Sequence, residues 1–272
     1  MRTFAWNYRG AGRAPTARAI RELIHESNPE VVFLSETKSK TPRICKINSK
    51  LKFVDFHCVE PSGHFGGLAL FWRLGVDLEV VYSDINLIAA LIYSDSPNTP
   101  WLLFAIYGPC KRNKKMNFWR MIENMVLSFS GPWVIIRDLN CIKRIGEKRG
   151  GRSISGSSVN CLKDFMSNTG AIDLGFTRPS FTWSNRHERL ANIKERLDQC
   201  LCNQEWQLLF PKAEVKHLCN SNSDHNPILL DTHFESKTLN RPFRFEAMWM
   251  KKEGSKVMID NAWQLLQISW KG

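Results

Sequence analysis

Two packed β-sheets, or one mixed sheet, with helices outside is the fold class that this 272-residue sequence predicts. Three observations carry that reading. Apolar runs of strand length are numerous, and helical stripes fall between some of them. The two kinds of segment do not alternate strictly, as they would in a TIM barrel or a Rossmann sheet. Finally, neither a GxGxxG fingerprint nor a GxxxxGK[ST] loop occurs, so no nucleotide cofactor is expected.

Each element follows from its own residues. "TFAWN" (3–7) reads as a short strand. Ala17, Ile20, Leu23 and Ile24 form a helical stripe, with Pro15 near its start and Pro29 past its end. "VVFLSE" (31–36) has strand length. "GGLALFW" (66–72), "LEVVY" (78–82) and "NLIAALIY" (86–93) are consecutive strands separated by turn residues. The glycines of "GHFGG" (63–67) permit a tight entry into the first of these. "WLLFAIYG" (101–108) is another strand. Phe118, Met121, Ile122, Met125 and Phe129 predict a helix over 114–129, and "WVIIRD" follows as a strand. Val159, Leu162, Phe165 and Met166 predict a helix over 157–168. "SFTWSN" (180–185), "EVKHLC" (214–219) and "NPILLDT" (226–232) read as short strands. After about residue 235 the pattern changes. The expected organisation is a domain over 1–234 and a C-terminal extension over 235–272, with a helix near 255–268.

The formal net charge is +12, which favours a polyanionic partner, most often nucleic acid. No apolar stretch approaches the roughly 20 residues of a membrane span. The N-terminus runs straight into a strand and lacks a signal peptide's apolar segment, so an intracellular protein is expected. Eight cysteines show no CxxC pair and no zinc spacing, and they read as free buried thiols.

Four apolar runs end in polar residues: Asn7, Glu36, Tyr107, and the pair Asp138 and Asn140. Ligand sites in α/β sheets collect beyond the carboxyl ends of strands. "RLD" (196–198) adds Asp198, and "SDH" (223–225) adds Asp224 and His225. Taken singly, each is an ordinary cap, turn or surface residue. Together they predict one polar site.

Ten segments, in order, resemble the endonuclease/exonuclease/phosphatase superfamily, the DNase I-like fold. They are "WNYRGAG" (6–12), "NPEVVFLSETK" (28–38), "GHFGGLALFW" (63–72), "IYGP" (106–109), "PWVIIRDLN" (132–140), "EKRGG" (147–151), "IDLGFTRPSFTWSN" (172–185), "ERLDQCL" (195–201), "SDHNPIL" (223–229) and "RPFRFEAMW" (241–249). Within that superfamily the sequence looks most like the endonuclease domain of plant LINE-type (non-LTR) retrotransposons. The resemblance implies a four-layer α/β/β/α sandwich, and a reverse transcriptase following in such elements. It implies a nuclear site of action on DNA and a Mg²⁺ (or Mn²⁺) cofactor. Glu36, helped by Asn7, matches the metal-binding positions, with Asp224 near the metal. Asp138 matches the residue that orients or deprotonates the attacking water, and Asn140 its partner. His225 would contact the phosphate, with Asp198 orienting it, and Tyr107 would donate a hydrogen bond to the phosphate. Thr182, Trp183 and Asn185 are candidates for DNA contact, although Trp183 and Phe181 also suit a core. The basic stretches "CKRNKK" (110–115) and "EKRGGR" (147–152) sit where phosphate contacts would lie.

Two positions depart from that pattern. Tyr8 stands where the superfamily members commonly have Cys. Arg137 stands where they have Gly, in Gly-Asp-Phe-Asn. Its fixed charge is expected to pair with Asp138 or to repel a metal. Besides a DNA-nicking endonuclease, the sequence therefore leaves open a catalytically weakened nucleic-acid-binding remnant. A phosphatase or RNA exonuclease of the same fold also stays open.

Overall fold

The apolar runs become strands wherever they are long and unbroken. In the computed structural model, which describes residues 1–8, 14–63, 65–96, 98–151, 156–177, 179–219 and 223–234, the strands run in chain order as follows. The first half holds β1 (Arg2–Asn7), β2 (Val31–Ser35), β3 (Asp55–Val59), β4 (Leu68–Trp72), β5 (Leu78–Ser83), β6 (Leu87–Ile92) and β7 (Trp101–Tyr107). The second holds β8 (Trp133–Asp138), β9 (Lys148–Arg149), β10 (Ile172–Asp173), β11 (Trp183–Ser184), β12 (Lys194–Glu195), β13 (Asp198–Cys202), β14 (Glu214–His217) and β15 (Ile228–Asp231). The helices are α1 (Ala14–Ser27), α2 (Thr41–Leu51), α3 (Arg112–Ser128), α4 (Gly156–Thr169) and α5 (Gln204–Leu209). Met1–Phe234 groups as one compact unit. The expected extension over 235–272, with its helix, lies outside the described residues.

Two six-stranded sheets result, with orders β14-β15-β1-β2-β4-β3 and β10-β13-β8-β7-β6-β5. Each has one parallel pair, β1 with β2 and β7 with β8. A parallel pair needs a long crossover, and α1 and α3 supply the two. All other neighbours in the two sheets are antiparallel. A small third sheet joins β11, β12 and β9.

Side-chain alternation divides the apolar residues between layers. Ala5, Phe33, Leu70, Leu103, Ala105, Val134, Ile136, Ile228 and Leu230 fill the space between the two sheets. Phe4, Trp6, Tyr8, Val32, Leu34 and Phe71 face the other way and pack with Ile20 and Ile24 of α1 and Ile44 and Leu51 of α2. On the far side, Trp119 of α3 and Phe165 of α4 meet at 4.9 Å, and Trp133 joins them. The expected α/β/β/α sandwich is what forms.

Several details differ from the expectations. Tyr8, in place of the commoner Cys, is 2% exposed and packs edge-on against Trp6 at 5.5 Å. All eight cysteines are free, but only Cys141, Cys200 and Cys202 are buried, whereas Cys45, Cys110 and Cys219 are exposed. The strand expected over 180–185 shrinks to β11, because the Asn185 side chain accepts from His187 N and Ile193 N and turns the chain. Glu36 and Arg137 have positive φ, at 51° and 112°.

A buried polar stack ties β10, β14, the link from β12 to β13 and the turn before β9 together. Arg196 holds Asp173 through two hydrogen bonds of 2.7 and 2.8 Å and Glu147 through one of 2.9 Å. Its guanidinium lies 4.6 Å from the Phe176 ring, whose other neighbour is His217, stacked at 4.5 Å. Burial pushes His217 down to about 4, outweighing the Pro179 carbonyl that holds its Nδ1. The ordinary value is 6.5, so the unfolded chain takes up this proton first. Stability is complete above about pH 6.5 and is lost as pH falls toward 4, by up to about 3 kcal/mol from this one group. Urea unfolding from pH 7 to 4.5 is expected to show a shallower loss for His217→Gln than for the parent. Parallel slopes would contradict this.

Candidate active site

The two parallel pairs point their carboxyl ends to the same edge of the sandwich. Asn7 closes β1, and Glu36 follows β2. Tyr107 closes β7, and Asp138 closes β8. Their antiparallel neighbours begin where these strands end. β13 opens at Asp198, directly opposite Asp138, and Tyr107 is the register partner of Asp138 on its other side. One row across the second sheet is therefore Asp198, Asp138, Tyr107. His225, three residues before β15, arrives at the end of β1, where its carbonyl accepts from Trp6 Nε1 at 3.0 Å.

Asp138, Asp198 and His225 form a buried cluster. His225 Nδ1 lies 3.0 Å from Asp198 Oδ2, and its Nε2 lies 3.7 Å from Asp138 Oδ2. Asp138 is further held by Asn7, whose amide donates to Oδ2 at 3.2 Å, and by the Asn140 backbone N–H, which donates to Oδ1 at 3.0 Å. Burial raises the Asp138 carboxyl to about 6, although His225 opposes the rise. Burial would also raise Asp198, but Arg137 and then His225 pull it down to about 2. Burial would lower His225, yet Asp198 and Asp138 overcome it and the net shift is upward. Two facing carboxylates thus sit on opposite sides of their ordinary value, a separation that suits one to hold charge and the other to exchange a proton.

Tyr107 donates its hydroxyl to Glu36 Oε1 at 2.5 Å, joining the two sheets across the mouth of the site. Burial first, and then Glu36, raises the phenol far above its ordinary value, so it remains a donor. Lys38 Nζ is 3.7 Å from Glu36 Oε2. Asn140 donates its side-chain amide to Gly108 O at 2.7 Å, and its own carbonyl accepts from Lys115 of α3. Gly108 N in turn donates to Asp138 O at 2.7 Å. A Cβ on Gly108 would lie 2.6 Å from the Leu139 carbonyl oxygen, backbone that cannot move aside. Gly108→Ala is therefore expected to destabilise the protein by about 1–3 kcal/mol. It should also displace Asn140 and Asp138, and urea unfolding together with a crystal structure of the variant would check both.

The remaining expected residues are placed as follows. Asp224 accepts from Trp183 Nε1 at 2.8 Å. Trp183 is half-buried against Ile142 and Leu197, and it pairs with His225 as an isolated bridge. Thr182 is fully buried, and its Oγ1 accepts from Leu197 N and Asp198 N, both at 3.0 Å, so it fixes the start of β13. Asn185 Nδ2 donates to Ala191 O at 2.9 Å. A cleft of about 580 Å³ beside Asp224 is lined by Phe181, Trp183, Arg186 and Lys194, among others.

Arg137 is not where the sequence led one to look. It is fully buried; its Nη1 lies 3.0 Å from Asp198 Oδ1 and donates to Ala5 O of β1 at 3.1 Å. Its Nε and Nη2 find no acceptor among the described residues. Sequence reading also missed Ser223, whose hydroxyl donates to Asn7 O at 3.0 Å. Its position beside Asp224 and His225 was the available signal.

Residues 4–225 match the endonuclease/exonuclease/phosphatase family. The chain belongs to that family. Structures of similar fold include the AP endonuclease LMAP from Leishmania major, at 14% identity and TM-score 0.68, covering 84% of this chain and 86% of that one. The 3′ phosphatase NExo from Neisseria, bound to a product DNA hairpin, has 14% identity and TM-score 0.66, covering 86% and 100%. The endonuclease domain of TRAS1, a telomere-specific non-LTR retrotransposon, has 13% identity and TM-score 0.62, covering 86% and 99%. No curated protein matches by sequence. At these identities the shared feature is the family's fold. No helix among the described residues is long and apolar enough to cross a membrane.

Proposed function

We propose that this protein is a divalent-metal-dependent phosphodiester hydrolase that nicks DNA, of the kind found in LINE-type non-LTR retrotransposons, acting in the nucleus of a plant cell. The observation that carries the chemistry is His225 held between Asp198 and Asp138 in a buried cluster at the strand ends. The net charge of +12 supports a nucleic-acid substrate. The resemblance of ten sequence segments supports the retrotransposon assignment.

Glu36, Asn7 and Asp224 would hold the metal, and they offer oxygen, which fits a hard cation such as Mg²⁺ or Mn²⁺. Such a cation, when bound, neutralises phosphate charge and polarises the phosphoryl group. The chain's own residues divide the rest. Asp138, fixed by Asn7 and the Asn140 N–H, orients and deprotonates the attacking water. Asp198 fixes the tautomer of His225 by taking Nδ1, which leaves Nε2 to meet the phosphate. Tyr107 is a hydrogen-bond donor that exchanges Glu36 for a phosphate oxygen. Trp183, Asn185 and the basic loops at 110–115 and 147–152 contact the DNA. Thr182 acts from behind by holding Asp198.

Relaxation of supercoiled plasmid is the test. Nicked circles are expected with Mg²⁺ or Mn²⁺, and none with EDTA. Unchanged plasmid in every condition, with salt-sensitive DNA binding retained, would favour the second reading, a catalytically weakened nucleic-acid-binding remnant. One observation favours that reading: Arg137, a bulky cation at a backbone φ of 112° inside the carboxylate cluster.

A further inference from the structure

Arg137 is held on all sides. It belongs to β8, its side chain is fully buried, and its Nη1 is fixed by Asp198 Oδ1 and by the Ala5 carbonyl of the opposite sheet. It cannot swing into solvent without opening the space between the sheets. A residue other than glycine at φ 112° is strained, and two of its guanidinium nitrogens find no acceptor among the described residues. A cation kept in such a place at such a cost is compensating something.

What it faces is an excess of carboxylates. Its charge acts most strongly on Asp198, then on Asp138, then on Glu36. Asp138 and Asp198 are register partners on adjacent strands, and Glu36 lies across the site on Tyr107. The other cation near Glu36, Lys38, is 39% exposed and screened by water. Arg137 has no solvent to screen it.

We propose that Arg137 is a built-in counter-ion of the carboxylate cluster: it takes over part of the charge compensation that a divalent cation would supply, so the protein binds that cation weakly. This rests on the reading of the site as a metal-dependent phosphodiesterase centre. The cluster stays assembled without metal, and an incoming divalent ion meets a field already partly neutralised. The cost falls on affinity, because a fixed positive charge in a poorly screened site opposes a second one.

Manganese titration followed by electron paramagnetic resonance of free Mn²⁺ tests this without reference to turnover. Three proteins are compared: the parent, Arg137→Gly and Arg137→Met. Glycine removes charge, bulk and backbone strain together; methionine removes the charge and keeps the bulk and the strain. Both variants are expected to bind Mn²⁺ at least about tenfold more tightly than the parent, and Glu36→Gln in the Arg137→Gly background should cancel the gain. Equal affinity in all three, or tightening in Arg137→Gly alone, would overturn the counter-ion role while leaving the metal site standing. No Mn²⁺ binding by any of them would remove the metal site itself, and the counter-ion role with it.

Discussion

His225→Ala is expected to lower plasmid nicking by about 10²–10⁴-fold while leaving the protein folded. The ring is 3% exposed and pinned on Nδ1 by Asp198, so its one remaining nitrogen lies beside Asp138. Removing it leaves Asp138 and Asp198 facing each other without the ring that lies between them, so the loss combines missing phosphate contact with a less well-positioned base. His225→Gln keeps some volume and a donor, but it lacks the two opposed ring nitrogens that meet Asp198 and Asp138, and it should recover little. Initial nicking rates, with circular dichroism as the control for folding, would check this. Activity within tenfold of the parent would mean that His225 is a structural histidine and that the catalytic reading of the cluster is wrong.

The parts of this architecture that were legible in the sequence are those set by local pattern. The runs "TFAWN", "VVFLSE", "LLFAIY" and "VIIRD" are long enough and apolar enough to be buried strands, and each ends in a residue that a buried strand does not need. That polarity alone placed Asn7, Glu36, Tyr107 and Asp138 on one edge. The less legible parts depend on pairing. β13 reads "DQCLC", a sequence of weak strand preference, and it forms because β8 offers a long partner in register. α2 and β3 were missed for similar reasons: a short helix rich in lysine and a half-exposed edge strand carry little periodic signal. Arg137 shows the sharper limit. Its residue type suggested a partner next door in Asp138, but the positive φ turns the side chain between the sheets, to Asp198 and the Ala5 carbonyl. Backbone conformation of that kind is imposed by the surrounding strands and leaves no mark in the residue's own identity.

The second large effect concerns stability and follows from the same pair. Asp198→Ala is expected to destabilise the protein by about 3–5 kcal/mol, because it takes the nearest carboxylate from a fully buried guanidinium and leaves the Ala5 carbonyl as its hydrogen-bond acceptor. Arg137→Gly alone should cost far less. It leaves Asp198 with His225 on Oδ2, and it gains from relieving the backbone strain and from deleting two guanidinium nitrogens that lack acceptors among the described residues. The double variant Arg137→Gly/Asp198→Ala should therefore be more stable than Asp198→Ala by about 1–3 kcal/mol, although it carries one more substitution. Urea unfolding of the four proteins, with unchanged m-values, closes the cycle. Simple additivity would show that the two buried charges do not depend on each other. A positive coupling would mean that the ion pair is held in place mainly by the cost of breaking it, which is how a site can keep a strained cation that contributes little to stability by itself.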